Sequence, residues 1–136
     1  MGVDSSDGAR RALEWAVAEA RLRGAAVEAV HVWQLPYFLS TPLGDLPIER
    51  GDLEDTAQAE LDGVVDAIDA TGLAEPIIRT VAVGNPAGVL LETARDADLL
   101  VVGARGHGGF AGLLLGSVSQ QVVHHAPCPV VIVPHD

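Results

Sequence analysis

The sequence contains no lysine: all eight basic residues are arginines, against 19 aspartates and glutamates, and the formal net charge is -11. The absence of lysine excludes a lysine-dependent Walker A phosphate site, and it excludes Schiff-base chemistry and a lysine general base. The excess of acid disfavours nucleic acids and anionic membrane surfaces, because both attract clustered positive charge. We therefore expect neither nucleic acid nor membrane among the partners.

Cysteine and long apolar runs are also scarce. Cys128 is the single cysteine and so forms no intrachain disulfide. No apolar run approaches the roughly 18 residues of a membrane span, and Met1-Gly2-Val3-Asp4 has none of the features of a signal peptide. These features predict a cytoplasmic protein, and 136 residues predict one domain, residues 1–136.

Segments with the pattern of strands alternate with segments with the pattern of helices. The predicted strands are residues 2–4, 25–33, 77–83, 99–102 and 129–133. Four helices are predicted: from Ala9 to near Gly24, from Leu53 to before Gly72, a short one that begins after Asn85-Pro86, and one from about Gly116 to His124. Residues 35–51 are predicted to form a proline-rich loop. This alternation predicts an α/β fold with a parallel sheet and helices on both faces. Ligands of such sheets bind beyond the carboxyl ends of the strands.

One loop is unusually rich in glycine. Six of the 15 glycines lie between positions 103 and 116, between a predicted strand and a predicted helix. Backbone N–H groups and the helix dipole favour an anion at such a place, and phosphate is the natural guest. Ser117 lies in the first turn of the predicted helix and can donate its hydroxyl to phosphate. Arg105 and His107 are the local side chains able to offset phosphate charge.

Two alternatives compete for this loop. The spacing Gly106-x-Gly108-x-x-Ala111 fits the dinucleotide fingerprint, but it follows the fourth predicted strand and no acidic residue stands about 20 positions later. A surface loop without a ligand is the other alternative. The position between a buried strand and a helix start favours a phosphate loop over both.

The spacing Gly103-x2-Gly106-x9-Gly116-Ser117 resembles the nucleotide-binding signature of universal stress proteins. The resemblance extends over nearly the whole chain, through Gly2-Val3-Asp4, His31-Val32, Val83-Gly84-Asn85-Pro86 and Ala126-Pro127-Cys128-Pro129-Val130. It implies an adenine-nucleotide α-hydrolase-like fold, with an open five-stranded parallel sheet of order 3-2-1-4-5. It also implies the ATP-binding branch of the family, with ATP and Mg²⁺ in the cleft between the first and fourth strands. Only three residues precede Asp4 here, so we expect the first strand of that fold to be shortened.

The resemblance also implies a set of ligand contacts and a partner. Asp4 is expected near the ribose and adenine, with Val3 beside it and Val32 against the base. The expected ribose and phosphate contacts are Gly103, Gly106, Gly116, Ser117 and Val118, with Arg105 and His107 as contact candidates. The last strand, Val130, Val131, Ile132 and Val133, is expected to pair with a second copy in a homodimer, because an unpaired apolar edge is a liability. The implied role is a regulatory module of the stress response.

No residue is assigned a catalytic or metal-binding role. His124 and His125 are adjacent and diverge on a helix, unlike the spacing of a metal-binding pair. His31 is interpreted as a structural or cleft-lining residue, Cys128 has no activating partner, and Ser117 lacks a nucleophile elbow. Ten acids between positions 45 and 75 indicate a solvated face rather than a divalent-cation site.

Three other functions remain open at this stage. The first is an enzyme of the same superfamily that transfers adenylate or hydrolyses ATP slowly. The second is a cyclic AMP binder, since the adenosine end of the site would be shared. The third is the non-binding branch of the family, in which the glycine signature is degraded; here the signature is intact.

Overall fold

The structure is a computed structural model that describes residues 7–34, 40–41, 44–45, 50–104 and 115–134, with backbone alone at 40–41, 44–45 and 50–51. The helices are α1 (Asp7–Arg23), α2 (Arg50–Asp66), α3 (Pro86–Thr93) and α4 (Ser117–His125), with a 3-10 turn at Ala94–Asp96. The strands are β1 (Glu28–Trp33), β2 (Ser40–Thr41), β3 (Gly44–Asp45), β4 (Ile78–Val83), β5 (Leu100–Gly103) and β6 (Val130–Val133).

The four longer strands form two parallel pairs. β1 pairs with β4 in the register Glu28↔Ile78, and β5 pairs with β6 in the register Leu100↔Val130. The predicted α/β class with parallel strands is thus confirmed at this level. The described residues form two separate two-stranded parallel sheets rather than one five-stranded sheet. The predicted strand at residues 2–4 lies outside the described residues.

Residues 35–51, predicted as an irregular loop, contain a short antiparallel pair. β2 and β3 pair with Ser40 opposite Asp45 and Thr41 opposite Gly44. The loop prediction was wrong at these four residues, because strands of two residues are too short to show a hydrophobic period. The second helix also begins at Arg50, three residues before the predicted start.

One apolar stripe of α1 is buried along its whole length. α1 packs on β5 and β6, and α2 packs on β1 and β4. One core cluster contains Leu13, Val17 and Leu61. A second core cluster contains Val30, Leu90 and Val122. The buried residues of α1 are Gly8, Ala9, Ala12, Leu13, Ala16, Val17 and Ala20. Burial of this stripe stabilises a helix that propensity alone would leave marginal.

The start of α3 is capped by the side chain that precedes it. Asn85 is the N-cap, and its side-chain oxygen accepts a hydrogen bond from the Gly88 N–H at 3.0 Å. Pro86 occupies the first turn, where its missing N–H costs nothing. Gly84 joins β4 to this cap with a φ of 139°, a conformation that favours glycine. The prediction of a helix start at Asn85-Pro86 is confirmed.

An arginine of β4 ties this strand to α2. The Arg79 guanidinium donates to a carboxylate oxygen of Asp62 at 2.9 Å and to one of Asp66 at 2.7 Å. The hydrogen bond from Arg79, followed by one from Gln58, holds the pKa of Asp62 below its ordinary value. A depressed carboxyl pKa contributes stability above the unfolded-state pKa, and that stability is lost as pH falls through the folded-state pKa.

Arg79→Gln should therefore raise the pKa of Asp62 toward its ordinary value. The free energy of unfolding of this variant should then fall less than that of the wild type as the pH is lowered. Carboxyl ¹³C chemical shifts followed through an acid titration measure that pKa directly. Arg95→Gln is the matched control, since exposed Arg95 pairs with Glu92 at 3.4 Å on another helix. An Asp62 pKa that is the same in both variants would contradict the assignment.

Candidate functional site

The start of α1 lies against the carboxyl end of β5. Gly103 is the last residue of β5, and a side chain at this position would come within 3.2 Å of the Gly8 carbonyl oxygen. That distance is shorter than ordinary carbon–oxygen contact, so glycine at 103 permits the close approach. One predicted glycine of the signature thus has a packing role at this strand end.

Two hydrogen bonds to one carbonyl oxygen join the ends of the glycine-rich loop. The Gly116 N–H donates to the Ala104 carbonyl at 2.7 Å, and the Ser119 hydroxyl donates to the same oxygen at 2.7 Å. The Ala104 N–H in turn donates to the Val133 carbonyl of β6 at 2.9 Å. These bonds hold the start of α4 beside the carboxyl end of β5.

The first turn of α4 presents its backbone N–H groups without a side-chain cap. Its N-cap residue is Gly116, which has no side chain, and the Gly116 carbonyl accepts from the Gln120 N–H at 3.0 Å. The first N–H groups of a helix have no partner within the helix, and an anion satisfies them well. Ser117 is exposed in this turn. The geometry suits a phosphate group.

An apolar surface adjoins this helix start. Val32, near the carboxyl end of β1, and Val118, in the first turn of α4, are both half-buried and pack against the cluster that contains Val102 and Val122. The fold thus brings together two residues that are 86 positions apart in the sequence. Such a surface provides an apolar contact for a planar base next to donors for a phosphate.

Half of the predicted site residues lie in the described part of the chain. The structure places Val32, Gly103, Gly116, Ser117 and Val118 around the carboxyl ends of β1 and β5 and the start of α4. Val3, Asp4, Arg105, Gly106 and His107 lie outside the described residues. The predicted contacts with a nucleotide therefore stay a prediction for all ten.

Ser119 is a residue of this region that the sequence analysis missed. It is 3% exposed, and a second acceptor, the Gly116 carbonyl, lies 3.2 Å from its hydroxyl. The available signal was its spacing of three from Val122, which places both residues on one face of α4. A hydroxyl on an otherwise buried helix face requires a hydrogen-bond partner, and here that partner is the loop base.

Ser119→Ala should lower the free energy of unfolding by about 1 kcal/mol, the usual contribution of one buried hydrogen bond. The cost stays moderate because the Ala104 carbonyl keeps its bond from Gly116. Urea denaturation measures the change, and Ser117→Ala is the control, because it removes an exposed hydroxyl from the same helix. Equal losses in the two variants would rule out a special role for the Ser119 hydroxyl.

The remaining candidate side chains lie apart from this region or have structural partners. His31 is 8% exposed, and its Nε2 lies 2.9 Å from a carboxylate oxygen of Glu60 on α2, which fits the structural interpretation. His124 and His125 are exposed at the end of α4, with ring centroids 6.4 Å apart. Within the described ranges, no three His, Cys, Asp or Glu side chains group as a metal site.

The longest helices of the described ranges, α1 and α2, have 17 residues each. A bilayer span needs about 20 predominantly apolar residues. No helix in this part of the chain meets the length and hydropathy that a membrane crossing requires.

Solved structures place this architecture in a known class of α/β proteins. One is the structure of a universal stress protein in complex with cAMP. That protein is 30% identical to this chain with a TM-score of 0.72, and the match covers 100% of this chain and 94% of that one. Another is the universal stress protein from Archaeoglobus fulgidus in complex with dAMP, 26% identical with a TM-score of 0.65, covering 96% and 92%. The fold class is therefore that of the universal stress proteins.

Sequence comparison identifies the family directly. The model of the universal stress protein family matches residues 1–134. A universal stress protein of Thermus aquaticus is 37% identical over 136 residues, covering 98% of this chain and 95% of the relative. One of Mycobacterium tuberculosis is 37% identical over 139 residues, and the chain spans 44% of its length. The chain belongs to the universal stress protein family.

Proposed function

We propose that this chain binds one adenine nucleotide, ATP with Mg²⁺, where β1 and β5 end and α4 begins. The observation that carries the proposal is the start of α4, capped only by Gly116 and held beside β5 by the bonds of Gly116 and Ser119 to Ala104. It is supported by the two related structures whose ligands are the adenine nucleotides cAMP and dAMP.

Each predicted residue has a role in this proposal. Val32 contacts the base, with Val3 and Asp4 at the adenosine end. The phosphates lie along Gly103, Gly106 and the first turn of α4, where backbone N–H groups and the Ser117 hydroxyl donate to them and Val118 supports the turn. Arg105 and His107 offset phosphate charge in a chain whose formal net charge is -11. Mg²⁺ would be held by the phosphates and would neutralise part of their charge.

The proposed role is regulatory rather than catalytic. A ligand that bridges the end of β1 and the start of α4 stabilises the folded arrangement of both by mass action. The binding unit is the single domain of residues 1–136, with the five-stranded order 3-2-1-4-5, acting in the cytoplasm. Fast release of pyrophosphate or AMP from ATP would instead favour the adenylate-transferring alternative.

Calorimetric titration with ATP, ADP and cyclic AMP, with and without Mg²⁺, tests the ligand. We expect saturable ATP binding that strengthens with Mg²⁺ and is lost in Gly106→Val, because a valine crowds the glycine loop. Thermal unfolding of both proteins checks that the variant is folded. The absence of nucleotide binding, or equal binding by the variant, contradicts the proposal, and tighter binding of cyclic AMP than of ATP makes the cyclic nucleotide the ligand.

We also propose a homodimer formed through β6. In the described ranges β6 pairs with β5 along one edge, and its residues Val130–Val133 are apolar and half-buried. Pairing of the other edge with its symmetry mate would cover it. Light scattering at micromolar concentration should give twice the chain mass of 14.1 kDa, and a monomer would refute this arrangement.

A further inference from the structure

Trp15 lies on the side of α1 that is nearest to β6. It packs against the same core cluster as Val131 and Val133 of β6. Leu13 and Val17, on another side of α1, pack instead in the cluster that contains residues of β1 and α2. The Trp15 side of α1 therefore adjoins the strand through which the homodimer is proposed.

Charged residues continue from Trp15 in both directions along α1 at a spacing of four. The resulting row, which we call the α1 ridge, consists of Asp7, Arg11, Trp15, Glu19 and Arg23. Residues four apart are neighbours on a helix surface, and rows of this kind are the ridges through which helices pack. Trp15 and Glu19 are half-buried, and the other three residues are exposed. The α1 ridge thus presents an aromatic ring flanked by charges.

The charges of the α1 ridge are self-complementary in the antiparallel direction. They are negative at position 7, positive at 11, negative at 19 and positive at 23. If a second copy runs antiparallel with Trp15 at the centre, Arg11 lies opposite the partner's Glu19 and Asp7 lies opposite the partner's Arg23. A twofold axis repeats each contact, so every charge of the α1 ridge meets the opposite sign.

Contacts within one chain neutralise only part of the α1 ridge. Arg23 donates to a carboxylate oxygen of Glu19 at 2.7 Å. Among the residues that the structure describes, no ion pair involves Asp7 or Arg11. A carboxylate has two acceptor oxygens, so Glu19 can accept from the partner's Arg11 and keep its bond to Arg23. A second copy would therefore supply the opposite charges that one chain lacks.

The proposed homodimer brings the two copies of the α1 ridge within reach of each other. A twofold axis perpendicular to the sheet makes β6 antiparallel to its mate and keeps both α1 helices on the same face. Because α1 packs on both β5 and β6, the two helix axes are separated by about two strand spacings, or about 10 Å. Helices in contact have axes about 8 to 10 Å apart.

We propose that the α1 ridge is a docking surface for a second copy of this chain, in which the two α1 helices pack antiparallel around Trp15. The proposal rests on the homodimer through β6 and adds the contact that selects the partner. Complementary charges set the register of the two helices, and they disfavour chains of the same fold that lack this charge pattern.

Mixing two charge-reversed variants tests this contact. Arg11→Glu and Glu19→Arg each place like charges opposite one another in a homodimer, so each should dimerise at least about tenfold more weakly than the wild type in sedimentation equilibrium. In a mixture, only the heterodimer pairs opposite charges. Native mass spectra should show heterodimers as more than about nine-tenths of the dimers, whereas random pairing of equal amounts gives about half.

Arg10→Glu and Glu14→Arg are the matched control pair. Arg10 and Glu14 are exposed and pair with each other on α1 at 3.2 Å, but they lie outside the α1 ridge. Each of these variants should dimerise within about twofold of the wild type, and their mixture should give about half heterodimer. Thermal unfolding checks that all four variants are folded. Equal heterodimer fractions in the two mixtures would overturn the proposal.

Disulfide formation tests the position of Trp15 independently of charge. In a Cys128→Ser background, Trp15→Cys places two thiols beside the twofold axis, where helices about 8 to 10 Å apart bring facing Cα atoms within disulfide range. Leu22→Cys is the control: Leu22 is 83% exposed, but its two copies would be about 21 Å apart along the helices. Mild oxidation should cross-link Trp15→Cys and not Leu22→Cys. Cross-linking of both at the same rate contradicts the antiparallel register.

The outcomes separate this proposal from the proposed function. A wild-type chain that stays monomeric overturns both the α1 contact and the homodimer through β6. A wild-type dimer whose Arg11→Glu and Glu19→Arg mixture shows no preference for heterodimers overturns the α1 contact alone. Calorimetric titration of the same variants with ATP reports separately on the nucleotide site, because neither residue belongs to it.

Discussion

Ser117→Glu is expected to weaken ATP binding by about tenfold to a hundredfold. The exposed Ser117 side chain lies in the first turn of α4, so a glutamate there places a carboxylate beside the proposed phosphate position. Two like charges about 5 Å apart repel by about 3 kcal/mol at the effective dielectric constant of a protein surface, and salt reduces this value. Every 1.4 kcal/mol corresponds to about a tenfold change in affinity.

The same substitution should leave the fold intact. A negative charge in the first turn of a helix interacts favourably with the helix dipole, so glutamate at position 117 stabilises α4 or is neutral. Loss of binding can therefore be separated from loss of structure by thermal unfolding of the variant without nucleotide. Few substitutions in this site offer that separation, because Val32 and Val118 contribute to the core.

Gln121→Glu is the matched control for this experiment. Gln121 is exposed on the same helix, four residues further along, and the substitution makes the same charge change away from the helix start. Calorimetry should give an ATP affinity within about twofold of the wild-type value, since the added charge lies roughly one helical turn farther away. If Ser117→Glu binds ATP as tightly as Gln121→Glu, the phosphates do not lie at the start of α4.

Leu13→Ala should lower the free energy of unfolding by about 2 to 5 kcal/mol. Leu13 is 0% exposed and belongs to the cluster of Val17, Leu61 and Val65, so the substitution removes apolar contacts and leaves a cavity. Most domains have only about 5 to 15 kcal/mol of stability. We therefore expect a large shift of the urea midpoint with an unchanged slope.

Leu22→Ala makes the same chemical change on the same helix. Leu22 is 83% exposed, and its loss should alter the unfolding free energy by no more than about 0.5 kcal/mol. Similar urea midpoints for the two variants would mean that α1 does not pack through the face that contains Leu13. A protein with Leu13→Ala that is too unstable to purify would agree with the expectation, provided that Leu22→Ala is obtained normally.

Much of the local structure could be predicted because its signals are local. The α1 stripe of Ala9, Leu13 and Val17 repeats at the helical period, and Asn85-Pro86 combines a capping side chain with a residue suited to a first helical turn. The helices predicted at these two places are confirmed. The antiparallel pair of β2 and β3 could not be found in the same way, since two residues carry no period.

The candidate site was predictable in part for a different reason. The glycine spacing pointed to a phosphate loop. The hydrogen bond from Ser119 to Ala104, however, joins residues 15 positions apart, and Val32 and Val118, which pack against the same cluster, are 86 positions apart. No sequence period encodes such pairs. Their proximity depends on how the two parallel sheets and α4 pack together, which is a property of the folded chain.

By itself, the sequence determined the alternation of helices and strands, the buried face of α1, the cap of α3 and the family, since each depends on neighbouring residues or on a motif. Only the tertiary structure decided that Ser119 supports the loop base and that His31 pairs with Glu60. The physical reason is that hydrogen-bond partners and cavities are set by contacts between distant segments. In the proposed nucleotide site of this lysine-free chain, the phosphate donors are backbone N–H groups, which the fold positions.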